Sequence, residues 1–201
     1  MTAISPELQR KEAALEETLR SAGSLLVAFS GGVDSSYLAL AAHRALGDRA
    51  LAVTAVSASY PASHRSVAET VVADFGIAHR FVDTDAMANP DYRANRTDRC
   101  YHLKTELFRV MGQVQGELGF ENVAYGVNTD DTGDFRPGHR AAAEGGVLSP
   151  FLDVELSKEE IRALSREAGL PTADLPASAC LSSRLPYGSA VTPERLKQVE
   201  E

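Results

Sequence analysis

Apolar residues along this chain come in two rhythms. Short apolar runs, Leu25-Leu26-Val27-Ala28-Phe29, Leu51-Ala52-Val53-Thr54-Ala55-Val56, Arg80 to Asp83 and Asn122-Val123-Ala124-Tyr125-Gly126, read as strands, the first two of them buried on both faces. Between them apolar residues recur at three- and four-residue spacing, the mark of amphipathic helices. The first helix opens at Ser5-Pro6-Glu7, a cap followed by proline at the first helical position. It carries Leu8, Leu15 and Leu19 on one stripe and ends at Gly23. A second runs from the loop after the first strand to Gly47. A third, about His64 to Phe75, places Val67, Val71 and Phe75 four residues apart and stops at Gly76. Cys100 to Leu118 is strongly periodic, with Leu103, Leu107, Val110, Met111, Val114 and Leu118 on one side. Ser157-Lys158-Glu159-Glu160 fits a capping box ahead of Ile161, Leu164 and Ala168, and Gly169 and Pro171 end that helix. Val147 to Phe151 is expected to form a fifth strand. Thr84 to Arg99 and Asn128 to Gly146 lack clear periodicity and read as long connections, which in compact domains are often functional.

Strands alternating with helices predict an α/β fold, a doubly wound parallel sheet of five strands. Ligands of such sheets sit beyond the carboxyl ends of the strands, near the switch in strand order. The loops after the first, second and fourth strands, Ser30 to Ser36, Ser57 to Tyr60 and Asn128 to Asp134, are therefore expected to converge. Residues 1–175 are expected to form one domain. Residues 176–201 read as a loop and the beginning of a small C-terminal subdomain. Thr192-Pro193-Glu194 opens a helix that stops at Glu201 after about two turns, so that segment is expected to be truncated.

Composition narrows the classes. With 201 residues, 44% of them hydrophobic, the chain can bury one good-sized core. A net charge of −8 argues against a broad electrostatic grip on nucleic acid. No apolar run approaches the about 20 residues that span a bilayer, so no membrane contact is expected. The polar, helix-like stretch Met1 to Lys11 is no signal peptide, and the cysteines, Cys100 and Cys180, lie far apart. A cytoplasmic protein without a structural disulfide is expected. The expected assembly is a homo-oligomer, although no pattern in the sequence specifies it.

The candidate chemistry begins where the first strand ends. Ser30-Gly31-Gly32-Val33-Asp34-Ser35-Ser36 is a strand, a glycine turn and a helix start, a corner that presents bare amides and the positive end of a helix dipole. Such corners bind phosphate. The hydroxyls of Ser30, Ser35 and Ser36 add donors, and Asp34 is placed to orient a cation. Neither a Walker A loop nor the dinucleotide G-x-G-x-x-G spacing is present. The bland alternative is an ordinary turn with Asp34 and Ser35 as caps. Gly126-Val127-Asn128-Thr129-Asp130-Asp131 reads either as a solvated acidic turn or as part of a nucleotide and Mg2+ environment. Lys158 reads equally as a surface lysine or as a phosphate contact. Cys180, with Arg184 four positions on and Pro176 and Pro186 flanking, is either a structural cysteine or a thiol in a shaped polar loop.

Ser-Gly-Gly-x-Asp-Ser after the first strand resembles the pyrophosphate loop of the N-type ATP pyrophosphatases, whose fold is the adenine nucleotide alpha-hydrolase-like one. With Arg99-Cys100-Tyr101, Gly126-x-Asn128-x-Asp130-Asp131, Asp134-Phe135-Arg136-Pro137-Gly138 and Ala179-Cys180-Leu181-Ser182-Ser183-Arg184, the chain resembles the LarE family. Those are ATP-dependent sacrificial sulfur transferases that help build the nickel-pincer nucleotide cofactor of lactate racemase. The resemblance implies adenylation of a carboxylate of pyridinium-3,5-biscarboxylic acid mononucleotide, attack by Cys180, and dehydroalanine left behind in the protein. It implies ATP and Mg2+ held by Ser30, Gly31, Gly32, Asp34, Ser35, Ser36, Val56, Gly126, Asn128, Asp131 and Lys158, with Asp34 as the possible Mg2+ ligand. It also implies substrate contacts from Ser183 and Arg184. Some relatives hold an iron–sulfur cluster on three cysteines; Leu103 stands where a second cysteine would follow Cys100, so no cluster is expected. Three alternatives stay open at this point: a tRNA thiolase, an amidotransferase synthetase of the GMP or NAD type, and a non-catalytic AMP-binding module.

Overall fold

The computed structural model describes residues 4–131, 137–177 and 180–200. Helix α1 (Pro6–Ser21) starts where predicted, with the Ser5 hydroxyl accepting from the Leu8 amide. It leads into β1 (Leu25–Ala28), α2 (Val33–Leu46), β2 (Ala50–Val56), α3 (Ala62–Phe75) and β3 (His79–Asp83). A short helix α4 (Pro90–Arg93), the long α5 (Arg99–Leu118) and β4 (Asn122–Tyr125) follow. Four further helices complete the described chain: α6 (Pro137–Glu144), α7 (Pro150–Asp153), α8 (Lys158–Glu167) and α9 (Pro193–Glu200).

The strands form one parallel sheet in the order β3-β2-β1-β4. The chain builds outward from β1 on one side and then returns to its other side, so the switch in strand order falls between β1 and β4. Successive side chains of a strand point to opposite faces, and β1 serves both. Leu25 and Val27 pack with Leu15, Leu38 and Ile161 from α1, α2 and α8, whereas Leu26 packs against Met111 and Val114 of α5. Tyr37 and Phe151 stack within the larger cluster, 6.1 Å between ring centres. Among the described residues no helix is long and apolar enough to cross a membrane.

Among the described residues the sheet has four strands rather than five. Leu148 makes a single parallel bridge to Ala124, donating to the Val123 carbonyl at 2.8 Å, and the pairing stops there. Gly146 turns the chain at φ 63° just before it, and Pro150, which has no amide to donate, starts α7 just after. Within the connection from Asn128 to Gly146, α6 lays Ala141 and Ala142 on Phe108, Tyr125 and Val127. The segment Thr84 to Arg99 is built from capped turns: Asp85 accepts from Ala88, and Asn89 from Asp91 ahead of α4. It packs Ala86 and Tyr92 against Leu181, Val191 and Leu196, a satellite core beside the carboxyl end of the sheet.

Candidate active site

The loop after β1 is shaped by its glycines and held by its serines. Gly31 adopts φ 81°, and a Cβ there would lie 3.0 Å from the His64 carbonyl, so only glycine fits without strain. Ser35 Oγ accepts from the Ser30 amide at 3.2 Å, lies 3.1 Å from Ser30 Oγ and donates to the Gly32 carbonyl at 3.1 Å. Gly32 stands at the N-cap of α2, where it offers no side chain to cap the helix. The first amides of α2 thus keep their donors for an anion. Ser36 Oγ is buried without a hydrogen-bond partner among the described residues, a further donor at the same helix end.

Asp34, in the first turn of α2, is where three elements meet. Its Oδ2 lies 2.5 Å from Lys158 Nζ and its Oδ1 accepts from Asn128 Nδ2 at 3.3 Å. Lys158 is itself placed by the loop after β4, because its amide donates to Asp130 Oδ2 at 2.8 Å. That loop is fixed internally: Asp130 N–H donates to Asn128 Oδ1 at 3.0 Å, and Asn128 N–H to Asp131 Oδ2 at 3.2 Å. Gly126 allows the approach, since a Cβ would stand 3.0 Å from the Asp34 carbonyl carbon and 3.1 Å from the Ser35 amide nitrogen. Lys158, which the sequence leaves undecided between surface and site, sits beside the loop.

Ser30 also borders a cavity of about 220 Å3 that Cys180 lines as well. Tyr60, His64 and Lys104 line it, together with Leu103 and Leu107 from the inner side of α5. Tyr60 OH donates to the Ser30 carbonyl at 3.2 Å, and burial pushes its phenol up to about 12. Burial, with the Arg184 charge second, holds His64 below its ordinary value of 6.5, so its imidazole is neutral at neutral pH. Cys180 Sγ lies 3.2 Å from Ser182 Oγ, and the Leu181 amide donates to the Ser59 carbonyl at 3.0 Å. The segment between β2 and α3 thus touches the glycine loop through Tyr60 and the cysteine loop through Ser59.

Not every expected residue comes to this place. Val56 falls between Ala55 and Ser57, which line the cavity, and its carbonyl accepts from Thr84 at 2.8 Å; the pleat turns it to the other face. Ser183 turns its hydroxyl back onto the Cys180 carbonyl at 2.6 Å. Arg184 is exposed and donates to the Val199 carbonyl of α9 at 3.0 Å. Asp134, Ser178 and Ala179 lie outside the described residues. In return, Tyr60, His64, Lys104 and Ser182 are present where sequence reasoning did not place a functional residue. The only signal for the first of these is its position in a loop after a strand; Lys104 is hidden one step from the apolar stripe of α5.

Among the described residues no group of three or more His, Cys, Asp or Glu side chains is arranged to hold a metal ion. Mg2+ is commonly held by one or two carboxylates together with substrate phosphates, and Asp34 suits that mode. A carboxylate offers about four lone-pair sites, and Lys158 and Asn128 engage two of them.

The family model described as asparagine synthase matches residues 9–110, which include the glycine loop and the first three strands. An uncharacterized protein of Synechocystis is 44% identical over 191 residues, covering 94% of this chain and 71% of that protein. The pyridinium-3,5-bisthiocarboxylic acid mononucleotide synthase of Lactiplantibacillus plantarum is 30% identical over 193 residues, 96% of this chain and 70% of that protein. A glutamine-hydrolyzing GMP synthase polypeptide of Thermococcus kodakarensis is 30% identical, again over 96% of this chain and over 67% of its own length.

Proposed function

This chain belongs to the LarE family of PP-loop ATP pyrophosphatases, and from that premise we propose that it is an ATP-dependent sulfur transferase that consumes its own Cys180. The observation that carries this reading is one cavity lined by both Ser30 of the glycine loop and Cys180. An amidotransferase of the GMP synthase kind shares the ATP chemistry but gives a cysteine at that place no task. On this reading residues 1–175 carry the nucleotide chemistry and residues 176–201 present the thiol.

The amides around Gly31 and Gly32 and the open end of α2 bind the β- and γ-phosphates of ATP. Lys158, held in place by Asp34 and Asp130, adds a cation where charge accumulates on the leaving pyrophosphate. Asp34 is the residue that would hold Mg2+, which when bound neutralises phosphate charge. The substrate is a pyridinium-3,5-biscarboxylic acid mononucleotide, a reading supported by the name of the Lactiplantibacillus relative. Its carboxylate attacks the α-phosphorus, pyrophosphate leaves, and an acyl-adenylate forms. The Cys180 sulfur then attacks the acyl carbon and AMP leaves, giving a thioester. Loss of the Cys180 Cα proton to solvent sends the Cβ–S electron pair to sulfur. The thiocarboxylate departs and dehydroalanine remains, with no net oxidation or reduction.

The test is a quenched assay with ATP, Mg2+ and the dicarboxylate nucleotide. AMP and pyrophosphate are expected only when the dicarboxylate is present, and Asp34→Ala is expected to slow their formation by about 100-fold or more. AMP formed equally without the dicarboxylate, or an Asp34→Ala protein as fast as the parent, contradicts the reading.

A further inference from the structure

The Cys180 sulfur ends a chain of hydroxyls. Its Sγ lies 3.2 Å from Ser182 Oγ. The Ser182 hydroxyl acts on the Tyr92 phenol, whose hydroxyl is hydrogen-bonded in turn to Ser59 Oγ. Ser182 and Tyr92 are 0% exposed and Ser59 2%, so bulk water does not compete for these bonds, and the low local dielectric strengthens them. The backbone around them is tied down. Arg99, itself buried, donates to the Ser182 carbonyl at 2.9 Å and to Asn95 Oδ1 at 2.5 Å. The Leu181 amide donates to the Ser59 carbonyl at 3.0 Å.

Each hydroxyl has one proton and two acceptor sites, so the chain can run in either direction. With a protonated thiol donating to Ser182, every hydroxyl donates away from sulfur, and the Ser59 proton has no acceptor within the chain of hydroxyls. In the other direction Ser59 donates to Tyr92, Tyr92 to Ser182 and Ser182 to sulfur, and every one of these protons has an acceptor. That direction presents a donor to the sulfur, which is a weak acceptor as a thiol and a strong one once it bears negative charge. Burial raises the Tyr92 phenol above its ordinary value, the serine hydroxyls opposing this in part, so Tyr92 keeps its proton at neutral pH.

We propose that Ser182 is a catalytic residue that donates a hydrogen bond to the Cys180 sulfur while that sulfur is anionic, and that Tyr92 and Ser59 are positioning residues that turn the Ser182 proton toward it. The inference deepens the sulfur-transfer reading and rests on it. In that reaction the sulfur is anionic twice, when the thiolate attacks the acyl carbon and when the thiocarboxylate leaves Cβ. One donor serves both moments without moving.

Alkylation by iodoacetamide at neutral pH, with neither ATP nor substrate present, tests the chain of hydroxyls apart from the reaction. Peptide mass spectrometry follows Cys180 and Cys100 in the same sample, Cys100 reporting on folding. Ser182→Ala is expected to slow alkylation at Cys180 about tenfold, because the thiolate loses its donor, and to leave Cys100 unchanged. Ser182→Thr, which keeps a hydroxyl, is expected to restore the rate to within about threefold, and Tyr92→Phe to fall between. A Cys180 rate in Ser182→Ala within twofold of the parent overturns the inference, as does a Thr variant no faster than the Ala variant. Formation of dehydroalanine at position 180 in the parent protein is a separate readout, so failure of the sulfur-transfer reading and failure of the hydroxyl chain are distinguishable.

Discussion

Asp34 sits between Lys158 and Asn128, with the backbone of its own helix pressed against Gly126. A methyl group at Gly126 meets the Asp34 carbonyl carbon and Cβ and the Ser35 amide nitrogen, which cannot swing aside as the far end of a long side chain would. Gly126→Ala is therefore expected to push the start of α2 off its loop, destabilising by about 1–3 kcal/mol and raising the KM for ATP about tenfold. Urea unfolding and initial rates measure the two effects. Lys158→Met is expected to lower kcat/KM for pyrophosphate release by about 10- to 100-fold, with Lys158→Arg recovering part of it; equal rates in all three proteins contradict the assigned contact. The glycine loop and Cys180 are legible as residues because their neighbours in sequence make the motif. Lys158 is legible as a candidate through the resemblance, but its ordinary capping-box surroundings give no hint that Asp34, 124 positions earlier, is its partner. For Arg184, proximity in sequence to Cys180 says nothing of direction: its guanidinium donates to α9, while its charge is felt at His64 of the cavity.

Helix α8 is tied down at its start by a capping box and an ion pair. Ser157 Oγ accepts from the Glu160 amide at 3.3 Å, and Glu160 Oε2 accepts from the Ser157 amide at 2.8 Å. Glu160 Oε1 also pairs with Lys11 of α1 at 2.8 Å. Burial pushes the Glu160 carboxyl up, but the hydrogen bonds from Lys11 and from the Ser157 amide and hydroxyl outweigh it and hold it below 4.5. A carboxyl lower in the folded state than in the unfolded one binds fewer protons when folded, so its contribution is complete above pH 4.5 and is lost as pH falls below. Glu160→Gln, which keeps an acceptor for the cap, is expected to flatten the fall of Tm on that acid side; an unchanged slope refutes the assignment. Ser157→Ala is expected to cost about 1 kcal/mol in urea unfolding. Helix starts and stops such as these are written locally, in caps, prolines and glycines, which explains why α1, α3, α5 and α8 are readable from the chain. The fifth strand is not, because the run Val147 to Phe151 has the hydrophobicity of a strand while Gly146 and Pro150 limit its pairing to one bridge. Helix α6 escapes notice because its contribution to the core rests on two small residues, Ala141 and Ala142.

Across the whole molecule, the switch in strand order between β1 and β4 gathers loops distant in sequence, as the alternation of strands and helices predicts. The platform beneath Cys180 is the part that no periodicity announces. It is a satellite core in which Leu181 and Leu196 meet Tyr92 of a segment that reads as a plain connection. Leu196→Ala is expected to cost about 2–5 kcal/mol in that cluster and to speed hydrogen exchange at the Leu181 amide, which is bonded to Ser59, without changing exchange in β1. Uniform acceleration through the sheet contradicts a separate platform. Ser59 and Tyr60, adjacent in one loop, tie this platform to the glycine loop, and both line the cavity that Ser30 and Cys180 also line. On the proposed function, chemistry begun at the glycine loop finishes by removing sulfur from Cys180. Mass spectrometry of the protein after a single turnover with ATP, Mg2+ and the dicarboxylate nucleotide tests this most directly. Loss of the mass of hydrogen sulfide, mapped to the peptide containing residue 180, is expected in step with thiolated product. Thiolated product formed while Cys180 remains intact contradicts it.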